Sequence, residues 1–161
     1  MLKTKIAVFV SGGGTNFEAL INAQENGKIP HGEIVLMVSS SKTAYALKRA
    51  ENHGIKSVVC SKKELGSQES FEEEILKNLE ENDIQLIVLA GFMSILSKEF
   101  TKKYENRIIN IHPSLIPSFC GEGFYGLHVH EAALKKGVKV TGATVHIVNE
   151  IPDGGPIIMQ R

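Results

Sequence analysis

Hydrophobic positions fall into short blocks separated by amphipathic stretches. Residues 6–10 and 34–38 are short, almost wholly apolar and rich in β-branched side chains, the mark of strands buried on both faces. Residues 84–90 form the most apolar segment and a further strand. Shorter runs at residues 57–60 and 108–111 complete five predicted strands. Between them the period changes to that of a helix. From Asn16 onward, Phe17, Leu20 and Ile21 share one face, and Gly27 follows the end. Residues 43–53 place Tyr45 or Ala46, with Leu47 and Ala50, inward, and Gly54 stops the helix. Residues 70–82 repeat Phe71, Ile75 and Leu79 every four positions, with Glu72, Glu73 and Glu74 expected in the first turn, where the helix dipole favours acids. Residues 97–104 and 130–136 read as shorter helices, the latter ending at Gly137. Residues 140–148 alternate with a period of two, as a half-exposed or edge strand does, and residues 156–160 form a last strand-like run.

Strand alternating with helix at these spacings predicts an α/β fold: an open, mostly parallel twisted sheet with helices on both faces. No repeat or linker interrupts it, and 161 residues suit one domain over residues 1–161. Residues 118–126 are the one long loop, and their glycines and aromatics suggest a functional flap. Lys+Arg and Asp+Glu are 18 each, so the formal net charge is zero, and the positive excess of a nucleic-acid binder is missing. No apolar run approaches the roughly 20 residues of a membrane span. Two cysteines, Cys60 and Cys120, make no disulfide framework, and a reducing cytoplasm is the simple expectation.

Three segments carry candidate chemistry. Ser11-Gly12-Gly13-Gly14-Thr15-Asn16 lies between the first strand and the first helix, where successive N–H groups and the helix N-terminus favour an anion. It lacks both G-x-G-x-x-G and the Walker lysine, so a phosphorylated small molecule fits better than a dinucleotide or a nucleoside triphosphate. A sharp turn capped by Thr15 or Asn16 is the plainer alternative. Asn110 and His112 stand two apart on a strand before Pro113, so both side chains face one way and could donate to one developing oxyanion. A polar strand end with a satisfied histidine is the alternative there. Asp153, in Asp153-Gly154-Gly155-Pro156, sits on a Gly-rich turn. Folded back beside His112, its carboxylate would favour the imidazolium and could relay a proton. His146 either lines this site or is a satisfied surface histidine. Cys120, His128 and His130 lack the spacing of a zinc site, so no metal is expected, and Cys120 lacks an activating partner as a nucleophile. The acidic run 69–74 reads as a solvated helix face.

Taken in order, Ser11 to Asn16, Gly91-Phe92-Met93, Asn110 to Ser114 with Leu115-Ile116-Pro117, and Asp153 to Pro156 resemble the phosphoribosylglycinamide formyltransferase family, over essentially the whole chain. The resemblance implies a Rossmann-like formyltransferase fold. It implies transfer of a formyl group from 10-formyltetrahydrofolate, the co-substrate, to the amino group of glycinamide ribonucleotide. It implies Asn110, His112 and Asp153 as the catalytic trio, and Gly12, Gly13, Gly14, Thr15 and Asn16 around the substrate phosphate. Met93, Ser94, Ile95, Leu96, Val148, Asn149 and Glu150 would wall the folate pocket. Ser94 stands where some relatives carry a basic residue. Relatives also run further than Arg161, with a last strand and a C-terminal helix. A shortened domain with exposed apolar surface on the sheet and weak or absent turnover is therefore expected. Small-molecule substrates, a monomer or homodimer, and a cytoplasmic location complete the expectation. The alternatives are a formyltetrahydrofolate hydrolase, another formyltransferase of the superfamily, or an inactive phosphate-binding α/β module.

Overall fold

The structure, a computed structural model, describes residues 2–161. The backbone packs into two compact units, one running up to Ser94 and the other Ile95–Arg161.

The first unit contains β1 (Thr4–Val10), α1 (Thr15–Glu25), β2 (Gly32–Ser39), α2 (Ala46–Asn52), β3 (Lys56–Val59), α3 (Lys62–Leu65), α4 (Gln68–Glu81) and β4 (Leu86–Leu89). Its strands lie in the order β3-β2-β1-β4, every pair parallel. The alternation of β1 explains why its sequence is apolar throughout. Ile6, Val8 and Val10 pack with Phe17 and Ile21 of α1 and with Ala46 and Ala50 of α2. Ala7 and Phe9 face the other way. There Phe9 meets the edge of Phe92 at 5.2 Å between centroids, and Phe92 stacks on Phe71 of α4 at 6.4 Å. Phe9, Phe17 and Phe71 are fully buried, and removal of each from water contributes about 1.5–3 kcal/mol.

Several boundaries differ from those the sequence predicts. The second helix starts at Ala46, with Tyr45 59% exposed, so Ala46 is the inward residue. The helix α4 starts at Gln68, because the Ser67 hydroxyl accepts from the Ser70 N–H at 3.0 Å and caps it. Glu69 therefore occupies the first turn, and Glu72–Glu74 lie beyond it. Glu72 is buried and accepts from Gln68 Nε2, so the acidic run is not wholly a solvated face. The short α3 was not expected, and β4 is shorter than the apolar run that contains it.

The second unit contains α5 (Lys98–Lys103), β5 (Ile108–His112), α6 (Leu127–Lys136), β6 (Thr144–Ile147) and β7 (Ile157–Gln160). Its strands run antiparallel in the order β5-β6-β7. The alternating segment 140–148 is thus a four-residue strand paired on both sides rather than an edge. In its register with β5, Asn110 stands opposite His146 and His112 opposite Thr144. The helix α6 begins three residues before its predicted start, after Gly126. Every residue of β7 is exposed, Ile157, Ile158 and Met159 included. Among the described residues, no helix is long and apolar enough to cross a membrane.

Candidate active site

Four polar side chains meet on one face of the β5–β6 pair. Asn110 and His112 project from β5 and His146 from β6. Asp153 comes from the turn before β7 and carries a positive φ of 54°. Its Oδ2 lies 3.5 Å from His112 Nδ1 and its Oδ1 lies 3.5 Å from His146 Nε2. Asn110 Nδ2 is 3.1 Å from His146 Nε2. The pairing foreseen between Asp153 and His112 is therefore present. His146 is fully buried among these groups, so the surface reading of that residue is overturned.

The protonation pattern follows from the partners. A backbone carbonyl only accepts, so His146 Nδ1 donates to the Ile147 oxygen at 2.9 Å and His112 Nε2 donates to the Phe119 oxygen at 2.8 Å. Burial pushes the Asp153 carboxyl up, but hydrogen bonds from His146 and the Gly121 N–H, with the charge of His112, outweigh it and hold the carboxyl below its ordinary range. Burial likewise works against a charge on His146, yet the bonds to Asp153 and the Ile147 carbonyl hold its pKa above the ordinary histidine value.

Backbone groups of the 118–126 loop complete the cluster. Gly121 N–H donates to Asp153 Oδ2 at 2.9 Å, and Phe119 supplies the carbonyl on His112. Thr144, buried on β6, donates to the Ser114 carbonyl at 2.7 Å and accepts from Ile116 N at 3.0 Å, tying the segment after His112 to the sheet. The Ile116–Pro117 peptide in that segment is cis. Reading side chains alone missed Phe119, Gly121 and Thr144. The sequence signal reached only as far as the glycine-rich 118–126 loop, within which Phe119 and Gly121 take positive φ. Cys120 is no better a nucleophile here than in the sequence, because burial and the Asp153 charge both raise its pKa.

Of the residues assigned to folate, Val148, Asn149 and Glu150 line a cavity of about 440 Å³ in the second unit, together with Lys98, Thr101 and Lys102 of α5. Val148 is fixed by its N–H to the Ile108 carbonyl at 2.9 Å. Leu96 is buried, whereas Met93 and Ile95 are exposed and Ser94 half-buried. None of these four lines that cavity.

In the first unit, residues 11–14 connect β1 to α1. Gly14 caps α1 in the left-handed region, φ 72°, and no side chain caps the helix, so neither Thr15 nor Asn16 does so. A Cβ on Gly14 would lie 2.7 Å from Ala46 Cβ, which packing forbids. Gly12 and Gly13 have open space instead. Packing does not demand glycine there, and the backbone is open to close approach. Ser11 Oγ accepts from Ser40 Oγ at 2.6 Å and from Met93 N at 2.8 Å, which anchors the start of the loop.

A family model described as Formyl transferase matches residues 4–161. The chain belongs to the formyl transferase family. It is 48% identical over 159 residues to the trifunctional purine biosynthetic protein adenosine-3 of Gallus gallus, covering 99% of this chain and 15% of that protein. It is 39% identical to the phosphoribosylglycinamide formyltransferase of Haemophilus influenzae, covering 97% of this chain and 71% of that one. The crystal structure of phosphoribosylglycinamide formyltransferase from Bacillus halodurans superposes with a TM-score of 0.89 at 40% identity, over 98% of this chain and 78% of that one. The chain thus spans a small part of the trifunctional relative and about three quarters of the bacterial ones. As a formyl transferase of this similarity it has the α/β fold class read from its sequence, with an open, mostly parallel sheet.

Proposed function

We propose that this formyl transferase carries the formyl group of 10-formyltetrahydrofolate to the amino group of glycinamide ribonucleotide. The observation that carries the reading is the meeting of Asn110, His112, His146 and Asp153 at distances of 3.1–3.5 Å. Both bacterial relatives are named for that transferase, which favours the ribonucleotide over water as acceptor.

The substrate amine attacks the formyl carbon on N10 of the folate, and the carbonyl oxygen becomes an oxyanion. Asn110 Nδ2 and His112 Nε2 are the donors for it, each worth about 3 kcal/mol when well aimed. His112 Nε2 now bonds the Phe119 carbonyl, so the oxyanion takes that carbonyl's place. Asp153 keeps the His112 ring oriented and helps relay the proton the amine sheds. That proton passes to N10 as the C–N10 bond breaks. Gly12, Gly13, Gly14, Thr15 and Asn16 take the 5′-phosphate. Val148, Asn149 and Glu150 form part of the folate pocket, and Met93, Ser94, Ile95 and Leu96 are assigned to folate by the family resemblance alone. The reading includes a cytoplasmic setting, in keeping with two free cysteines.

The test follows loss of the folate formyl signal with and without glycinamide ribonucleotide. Nucleotide-dependent transfer that drops about 10²–10³-fold in Asn110→Ala supports the reading. Consumption of the folate without the nucleotide points to a hydrolase and ends it.

A further inference from the structure

The conformation of the glycine loop is held by the face of α2, and one side chain does the central part of that work. Each peptide from Gly12 to Thr15 is planar and trans, so fixing a carbonyl fixes the following N–H in the opposite direction. The Gly12 carbonyl accepts from Ala46 N at 3.2 Å, which aims the Gly13 N–H. The Gly14 carbonyl accepts from Glu18 N at 2.9 Å, which aims the Thr15 N–H. Between them, the Gly13 carbonyl accepts from Arg49 Nε at 2.8 Å, and this aims the Gly14 N–H. It is a side-chain bond flanked by two backbone ones.

Arg49 is itself held from two sides. Its NH1 pairs with Glu18 Oε2 at 3.1 Å. Its guanidinium lies over the Tyr45 ring, 5.1 Å from the centroid. Glu18 is kept in place by His53, whose Nε2 lies 3.2 Å from Glu18 Oε1 and whose Nδ1 lies 2.9 Å from Glu25 Oε1. The Arg49 guanidinium first, and then His53, outweigh the opposing effect of burial and hold the Glu18 pKa below its ordinary value, so the carboxylate stays charged. The planar fork matters. One edge of it reaches the carbonyl and another the carboxylate, which a single ammonium cannot reproduce.

We propose that Arg49, braced by Glu18, is a positioning residue for the phosphate of the ribonucleotide substrate. It touches no substrate atom. It holds the Gly13–Gly14 peptide with its N–H turned outward, so that three successive amides present donors to the phosphate monoester. The proposal rests on the assignment of the glycine loop to phosphate made above.

Steady-state kinetics separate the two ideas. Arg49→Lys and Glu18→Gln are expected to raise the KM for glycinamide ribonucleotide by about tenfold, with kcat and the folate KM within about twofold. Inorganic phosphate should lose potency as a competitor by the same factor. With the unphosphorylated glycinamide riboside as acceptor, kcat/KM should not distinguish the variants from the parent. Gly14→Ala serves as the reference for the loop. If it raises the ribonucleotide KM while both Arg49→Lys and Glu18→Gln leave it unchanged, the loop binds phosphate and Arg49 does not position it. If Gly14→Ala folds and also leaves that KM unchanged, the loop does not hold the phosphate and both ideas fall. A fall in kcat, or an equal penalty with the riboside, marks a merely structural role and overturns the proposal. Should Arg49→Lys fold poorly, Glu18→Gln, which keeps the guanidinium and removes only its brace, decides by the same criteria.

Discussion

Asn110 and His146 face each other across the β5–β6 pair, with the amide nitrogen 3.1 Å from the ring Nε2. The other ring nitrogen donates to the Ile147 carbonyl, so Nε2 is the position whose proton comes and goes. Without it, Nε2 accepts from the Asn110 amide. With it, Nε2 donates toward Asp153 Oδ1 at 3.5 Å, and Asn110 must turn its oxygen inward and its NH₂ outward. The raised pKa of His146 favours the second arrangement, which frees the NH₂ as an oxyanion donor. His146→Ala should therefore lower kcat by about tenfold or more with little change in either KM. Leaving Asn110 without its buried partner should also cost about 1–3 kcal/mol in urea unfolding. An unchanged kcat in a stably folded variant would falsify this coupling.

The same cluster gives stability a pH window. The Asp153 pKa is lowered in the folded state, so its contribution is complete above the unfolded carboxyl value of about 3.9 and fades as pH falls through the folded one. The His146 pKa is raised, so its contribution is complete below the unfolded imidazole value of about 6.5 and fades as pH rises through the folded one. The difference in unfolding free energy between the parent and Asp153→Asn should be largest between those two values and shrink on both sides. Taking the difference removes the separate alkaline arm from His53, whose pKa is raised by its bonds to Glu25 and Glu18. A difference that stays flat from pH 3 to pH 9 would count against the pairing.

How far the sequence was legible depends on what each element asks of it. The strands β1 and β2 were readable because both of their faces are covered, which leaves a continuous apolar run. The four-residue α3 buries nothing and so left no periodic trace. The start of α6 was hidden because its cap is Gly126 rather than a side-chain acceptor, and because Leu127 and His128 are exposed. That β6 pairs on both sides could not be read from alternation, which an edge strand shows equally. In the site, Asn110 and His112 were found from their two-residue spacing and Asp153 from its Gly-rich turn, and the family resemblance joined the three into one trio. Phe119 and Gly121 act through a carbonyl and an N–H that every non-proline residue possesses, so no side-chain pattern could have singled them out.

Gly155 is the steric key to the turn that carries Asp153. It is buried, and a Cβ there would overlap the Ile147 carbonyl oxygen. That oxygen is already committed to the His146 ring. Gly155→Ala should therefore destabilise the protein by about 1–3 kcal/mol and reduce kcat by moving Asp153 away from both histidines. Gly154→Ala, whose Cβ meets the Ile151 side chain, should be milder. Chemical unfolding of the two variants side by side settles the order, and equal stability in Gly155→Ala and the parent would show that the turn relaxes freely.

The last expectation concerns the bond from His112 Nε2 to the Phe119 carbonyl, 2.8 Å long. If His112 is to stabilise the oxyanion, that donor must change partners during turnover. Phe119 sits at φ 49°, in the left-handed region that a side chain rarely adopts, and the Gly121 N–H to Asp153 holds the neighbouring residues. The carbonyl can leave only if this short stretch rotates. Binding of a folate analogue with a tetrahedral hydroxyl at the formyl carbon should lengthen the Nε2 to Phe119 distance beyond hydrogen-bond range and place the hydroxyl on Nε2. A crystal structure with that analogue in which His112 still donates to Phe119 would leave Asn110 as the sole side-chain donor to the oxyanion.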